Sequence, residues 1–281
     1  MPSFLAHDGT KLAYHVNGTG EPLVCLPGGP ARASRYMGDL GGLPRRLILL
    51  DGRGSGDSAI PADPGTYRWD RLAEDVEALR EHLGLARMDL LAHSASANVA
   101  VRYAGLHPAR LRSLCLVAPS PVAVGFAPTE QDWQAGVELR RDEPWYSAAL
   151  AAFRADEGVE RHRFFYGPWT ERAAAHAAGA EDECAEAAAD GFYAPSPVTP
   201  EEVRAGLATL DAPVLLLTGD LDAHPCRLYA RPFAGLFRDA GLVTMPGAGH
   251  FPWVDDPGAF VSAVSAFLDG LPGRGGLTRR A

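Results

Sequence analysis

The sequence predicts an α/β protein: a doubly wound, mostly parallel sheet with helices on both faces and one helical insertion. Three observations carry this. Short apolar runs alternate with stretches of helical spacing, the rhythm of βαβ units. One long region, 121–210, breaks that rhythm; it is rich in alanine and acid, helical in pattern and poor in β-branched runs. At 281 residues, 47% hydrophobic and 22% charged, the chain can bury one large core plus an insertion. The expected organisation is a core of 1–120 and 211–281 with a helical cap insertion at 121–210. Such a cap would lie over the carboxyl edge of the sheet, where ligands bind in folds of this kind.

The elements follow in order. Ser3 to Ala6 and Leu12 to Val16 flank an Asp8-Gly9 turn and read as a hairpin. Pro22 to Leu26 is a buried-strand run that ends at Pro27-Gly28-Gly29-Pro30, and Leu47 to Leu50 runs into Asp51–Gly56. From Trp69 to Leu83, Leu72, Val76, Leu79 and Leu83 repeat at helical spacing, with Asp70, Glu74 and Asp75 near the helix start, where the dipole favours acids. A strand leading to Ser94, a helix to about Leu106 and a strand at Leu114 to Ala118 complete the first half. After the insertion, strands return at Pro213 to Leu217 and Gly241 to Met245, and an amphipathic helix closes at Pro257 to Leu268. The tail 272–281 is expected to fray.

The apolar run before Ser94 ends in a serine with small residues two places either side, Ala92 and Ser96, and a helix-forming segment after it. That is the layout of a nucleophile elbow, a sharp strand-to-helix turn that exposes one hydroxyl. A serine needs a base near neutral pH, and the base needs a carboxylate to fix its tautomer. Later strand ends supply both, Asp222 after Leu217-Thr-Gly and His250 after Met245-Pro-Gly-Ala-Gly. Ser96 fits the nucleophile role less well, since Asn98 would then occupy a position that requires a small residue. Asp220 is a rival acid that lies closer to the strand, His93 reads as a packed histidine, His107 as a helix-end residue, and His224 as a local partner of Asp222. The oxyanion donors expected are the backbone amides of Ala95 and Gly29.

With these residues in place, the chain resembles the α/β-hydrolase superfamily over essentially its whole length. Within it, the chain is most similar to proline iminopeptidase-like hydrolases. Their His-Gly-Gly-Pro-Gly loop is similar to Pro27–Ala31, and their Asp-Gln-Arg-Gly-x-Gly-x-Ser segment is similar to Asp51–Ser58. The resemblance implies an α/β-hydrolase fold: a mostly parallel eight-stranded sheet with a helical cap. It also implies ester or amide cleavage through an acyl-enzyme, and an Arg53 that braces its loop rather than reacting. The chain departs from the pattern at three places: Pro27, which has no N–H, stands for the family histidine, Gly52 for glutamine, and Ala95 for the tryptophan after the serine. Glu181, Asp182, Glu183 and Glu186 are acidic candidates for binding a free amino terminus, although an acidic run on a helix is most often a solvated face.

Aromatics concentrate in the insertion, densest at Phe164-Phe165-Tyr166-Gly167-Pro168-Trp169. Phe164, Phe165, Tyr166 and Trp169, with Phe251 after the histidine, are the expected lining of an apolar substrate pocket. The rest of the sequence narrows the function by exclusion. A formal charge of −9 argues against a nucleic-acid partner. No apolar run approaches the roughly 20 residues that cross a bilayer, and Met1–Gly9 does not read as a signal peptide. The four cysteines have no metal or redox spacing, and Cys25 and Cys115 read as buried strand thiols. The expectation is a cytoplasmic serine hydrolase, monomer or homodimer, with no cofactor, no metal and no membrane partner, acting on a small-molecule or short-peptide substrate. Esterase, lactonase or thioesterase activity, acyl transfer or cyclisation, and a catalytically silent ligand-binding role are the alternatives.

Overall fold

A computed structural model describes residues 1–271, apart from the Glu181 side chain; the tail expected to fray lies outside the described residues. Among the described residues, eight strands form one sheet: β1 (Ser3–Leu5), β2 (Lys11–Asn17), β3 (Pro22–Leu26), β4 (Arg46–Leu50), β5 (Met88–His93), β6 (Leu111–Val117), β7 (Val214–Gly219) and β8 (Ala240–Met245). Their order is β1-β2-β4-β3-β5-β6-β7-β8. β1 and β2 pair antiparallel, as do β2 and β4, and every pairing from β4 to β8 is parallel.

The helices are α1 (Ala73–His82), α2 (Ala97–Leu106), α3 (Glu130–Glu138), α4 (Tyr146–Ala155), α5 (Glu171–Ala178), α6 (Ala180–Glu183), α7 (Glu186–Phe192), α8 (Pro200–Leu207), α9 (Cys226–Ala234), α10 (Pro252–Asp255) and α11 (Pro257–Asp269). The continuous apolar runs of β3, β5 and β6 reflect burial on both faces of a parallel sheet. Side chains alternate, so Val24, Leu90 and Leu116 join α1 and α2 in one core. Cys25, Leu91, Cys115 and Val117 join Trp253 and α11 in the other. Both strand cysteines are therefore buried free thiols, as their apolar setting suggested.

The stretch expected as a cap is not uniform. α8 packs on the main core through Val203 and Leu207. It crosses α2 at paired glycines, where a Cβ on Gly206 would sit 2.8 Å from the Gly105 Cα. Phe192 at the end of α7 joins the same core. By contrast Val137, Ala149 and Phe164 form a small separate cluster with Ala223. Sequence order places α8 in the insertion, whereas its contacts place it with the core helices.

The Asp51–Ser58 loop is braced as the resemblance implied. Arg53 donates through Nε and Nη2 to both Asp75 carboxylate oxygens at 2.7 and 2.6 Å, and it also reaches Asp8. This bidentate pair is buried, and with Asp8 it ties the loop after β4 to α1 and to the turn between β1 and β2.

Candidate active site

β5 delivers Ser94 into a backbone conformation of φ +53°, in the left-handed region, so the chain reverses sharply before α2. Such a conformation costs a non-glycine residue about 1 kcal/mol or more and persists only where the surroundings enforce it. Enforcement here comes from close packing. Ala92 is fully buried, and the Ser96 hydroxyl donates to the Pro27 carbonyl. Across the turn, a Cβ on Gly28 would lie 2.8 Å from Ser94 Cβ. Small residues are therefore required on both sides, and alanine and serine satisfy the need at 92 and 96.

His250 Nε2 lies 2.9 Å from Ser94 Oγ, and His250 Nδ1 lies 2.7 Å from Asp222 Oδ2. A carboxylate can only accept, so Nδ1 carries the proton and Nε2 is free to accept from the serine hydroxyl. Asp222 is fully buried. Burial opposes its ionisation, but His250, His224 and Cys226 more than offset this and hold the carboxyl below its ordinary range. Its Oδ1 accepts the His224 N–H at 2.9 Å, and its Oδ2 accepts the Cys226 thiol at 3.1 Å. The rival Asp220 instead accepts the Gly247 N–H at an exposed position.

Glycines let the two late loops meet. A Cβ on Gly219 would strike the Ala248 carbonyl, and one on Gly249 would strike that of Phe165. Backbone bonds then fasten them, with Leu221 N–H donating to Ala248 O at 2.9 Å. The segment at Phe164 and Phe165 closes over both loops: Ala223 N–H donates to Phe164 O at 3.1 Å and His250 N–H to Phe165 O at 2.8 Å.

A cavity of about 530 Å³ opens above Ser94. Gly29 and Ala95 line it, as do Phe165, Tyr166 and Phe251 among the aromatic residues expected there. Among the described residues, neither the Gly29 nor the Ala95 amide donates to another protein group, which leaves both available as anion donors. Two expected lining residues lie elsewhere. Phe164 is fully buried in the cluster with Val137, Ala149 and Ala223, under the rings of Trp145, Tyr146 and Phe153. Trp169 meets Tyr166 edge-on and lies under the Arg163 guanidinium, 4.9 Å away. Phe164 and Phe165 are adjacent on a tight helix, so one turns inward to the cluster and the other to the cavity.

Arg32, Ser120 and His162, passed over in the sequence, also line the cavity, as do the insertion aromatics Trp133 and Tyr193 and the Asp222 neighbour His224. Among the described residues, no carboxylate lines it. Arg32 is neutralised by Glu183 at 2.8 Å, so that acidic candidate faces a guanidinium rather than the cavity. Burial lowers His224 to about 4, so its imidazole is neutral at neutral pH. His224, Cys226 and His250 bring donor atoms within 4.8 Å of one another. The thiol is engaged with Asp222 and pushed far up by burial, and His250 already joins Ser94 to Asp222. The His224 Nδ1 in turn accepts the Cys226 N–H at 3.3 Å, so all three residues are already engaged within the protein. Among the described residues, no helix is long and apolar enough to cross a membrane.

Comparison with known proteins agrees with the architecture. The alpha/beta hydrolase fold family model matches residues 21–257. A proline iminopeptidase of Lactobacillus helveticus is 27% identical over 276 residues, covering 88% of this chain and 90% of the relative. The solved esterase of Rhodococcus sp. ECU1013 superposes with a TM-score of 0.74 at 25% identity, covering 96% of this chain and 98% of that one. A proline iminopeptidase structure from Mycobacterium smegmatis gives 0.69 at 21% identity, over 96% and 98% of the two chains.

Proposed function

We propose, from a chain that belongs to the alpha/beta hydrolase fold family, a serine hydrolase that opens an uncharged carboxylic ester through an acyl-enzyme. The observation that carries it is the unbroken hydrogen-bonded path Ser94–His250–Asp222, at 2.9 and 2.7 Å, on the wall of the cavity. In this reading Ser94 Oγ attacks the carbonyl while His250 Nε2 takes its proton. Asp222 keeps the imidazole in the tautomer that can accept, and stabilises the imidazolium that forms. The amides of Gly29 and Ala95 receive the oxyanion. His250 then returns the proton to the leaving alcohol, and water, activated by the same imidazole, releases the acid.

Substrate charge follows from the wall. A site for a peptide's amino terminus places a carboxylate against the ammonium, because an unpaired buried charge is costly. With Arg32 already neutralised and no lining carboxylate among the described residues, the cavity suits a neutral acyl group against Phe165, Tyr166 and Phe251. The second reading, removal of an N-terminal proline, is favoured by likeness to the Lactobacillus helveticus enzyme over most of both chains.

A panel of aryl acyl esters, lactones, thioesters and proline naphthylamide, assayed with wild type and Ser94→Ala, tests the reading. The expected result is ester turnover that falls at least about 10³-fold in the variant, with fluorophosphonate labelling at Ser94. Equal turnover by both proteins would overturn it. Preference for proline naphthylamide would transfer the conclusion to the second reading.

A further inference from the structure

The groups that move protons and receive charge lie on three separate loops, so something must hold those loops in register. We propose that Tyr36 and His93 are positioning residues that lock the Gly28-Gly29 turn and the His250 backbone to the strand end carrying Ser94. The proposal rests on the serine-hydrolase reading above.

The bonds run in one direction. Gly28 N–H donates to the Tyr36 hydroxyl at 2.6 Å, and that hydroxyl lies 2.7 Å from His93 Nδ1. His93 Nε2 lies 2.9 Å from the His250 carbonyl oxygen. A carbonyl only accepts, so Nε2 carries the proton and Nδ1 must receive one from Tyr36. Every donor and acceptor in the chain Gly28–Tyr36–His93–His250 is thereby used in its proper sense, the Tyr36 hydroxyl serving as both. Burial favours the neutral forms this requires, raising the Tyr36 phenol and lowering the His93 imidazole. The rings are held from both sides: the Arg32 guanidinium lies 4.2 Å over Tyr36, and Trp253 meets His93 edge-on at 4.9 Å.

An apolar residue at 36 or 93 could fill the same space, but it would leave the Gly28 N–H or the His250 carbonyl unpaired in a buried setting. The choice of tyrosine and histidine is therefore explained by what they connect. Gly28 already packs against Ser94 as closely as a Cβ would forbid. Fixing its N–H fixes the next amide, Gly29, relative to the nucleophile. Fixing the His250 carbonyl does the same for the imidazole, and a displacement of about 1 Å in such a constellation can cost about 10²-fold in rate.

The test uses Tyr36→Phe, His93→Leu and His93→Gln with the best ester from the panel. Glutamine retains one acceptor and one donor, whereas leucine retains only bulk. Expected are a fall in kcat of roughly 10- to 100-fold for Tyr36→Phe and His93→Leu, with KM within about twofold, and partial recovery in His93→Gln. The Tyr36→Phe, His93→Leu double variant should fall little further than the worse single variant, since both break one link. Nitrogen-15 spectra of the wild type should show His93 as the Nε2–H tautomer, whether or not the variants fold well. Wild-type kcat in Tyr36→Phe, multiplicative losses in the double variant, or an Nδ1–H tautomer would overturn the proposal. Undiminished turnover by Ser94→Ala is a different result: it would remove the hydrolase reading, and the positioning role with it.

Discussion

Gly28 and Ser94 approach so closely that a Cβ on the glycine would lie 2.8 Å from the serine Cβ and 2.9 Å from His93 Nδ1. The turn after β3 and the turn after β5 are therefore one packed unit, and residue 28 has room for hydrogen alone. Gly28→Ala should lower kcat/KM by at least about 10²-fold, because a displaced turn withdraws the neighbouring Gly29 donor. Ester hydrolysis checks this, with circular dichroism to show that the fold survives. Activity within a few-fold of wild type would mean that the turn yields without consequence.

Asp222 receives two side-chain protons on the same oxygen, from His250 and from Cys226. The first fixes the imidazole tautomer; the second only supports the carboxylate. Asp222→Asn is expected to lower kcat by about 10⁴-fold, since an amide can present N–H to Nδ1 and reverse the tautomer. Cys226→Ala should lower it only a few-fold, and Cys226→Ser should restore most of that. Steady-state kinetics on the three variants separates the roles, and similar losses in Asp222→Asn and Cys226→Ala would contradict the division.

Asp255 accepts the Gly249 N–H at 2.7 Å and so steadies the residue before His250. Burial pushes its carboxyl up from 3.8 to about 6 despite that bond. Between those values the folded state keeps a proton that the unfolded chain releases, so this group lowers stability as pH rises through the window. Asp255→Asn retains an acceptor and never ionises. It should match wild type below about pH 4 and exceed it at pH 8, by on the order of 1–2 kcal/mol. Urea unfolding at the two pH values measures the difference; a gap that does not change with pH would refute the assignment.

The positions of Ser94, Asp222 and His250 were legible because each comes shortly after an apolar run, the serine with small residues two places either side and the histidine after Gly247-Ala-Gly249. The parallel sheet was legible from apolar runs, since burial on both faces writes itself as Leu23–Leu26 in β3, Leu90–Ala92 in β5 and Leu114–Val117 in β6. Other features depend on contacts between distant positions. The placement of α8 turns on Gly105 meeting Gly206, which no local pattern announces. In the aromatic cluster, composition marks a hydrophobic segment, but a rotation of one residue decides that Phe165 faces the cavity and Phe164 does not. His93 read as a packed ring; its link to Tyr36, 57 positions away, appears only when both hydrogen bonds are seen.

The carbonyls of Phe164 and Phe165 accept from the loops that carry Asp222 and His250, and a Cβ on Gly167 would strike the Gly247 carbonyl. This short segment belongs by sequence to the helical insertion but by bonding to the chemical machinery. For protein engineering, this makes it a seam. Grafting foreign helices between β6 and β7 to alter selectivity would need junctions that leave 164–167 in place, or the transplant would loosen the histidine it was meant to serve.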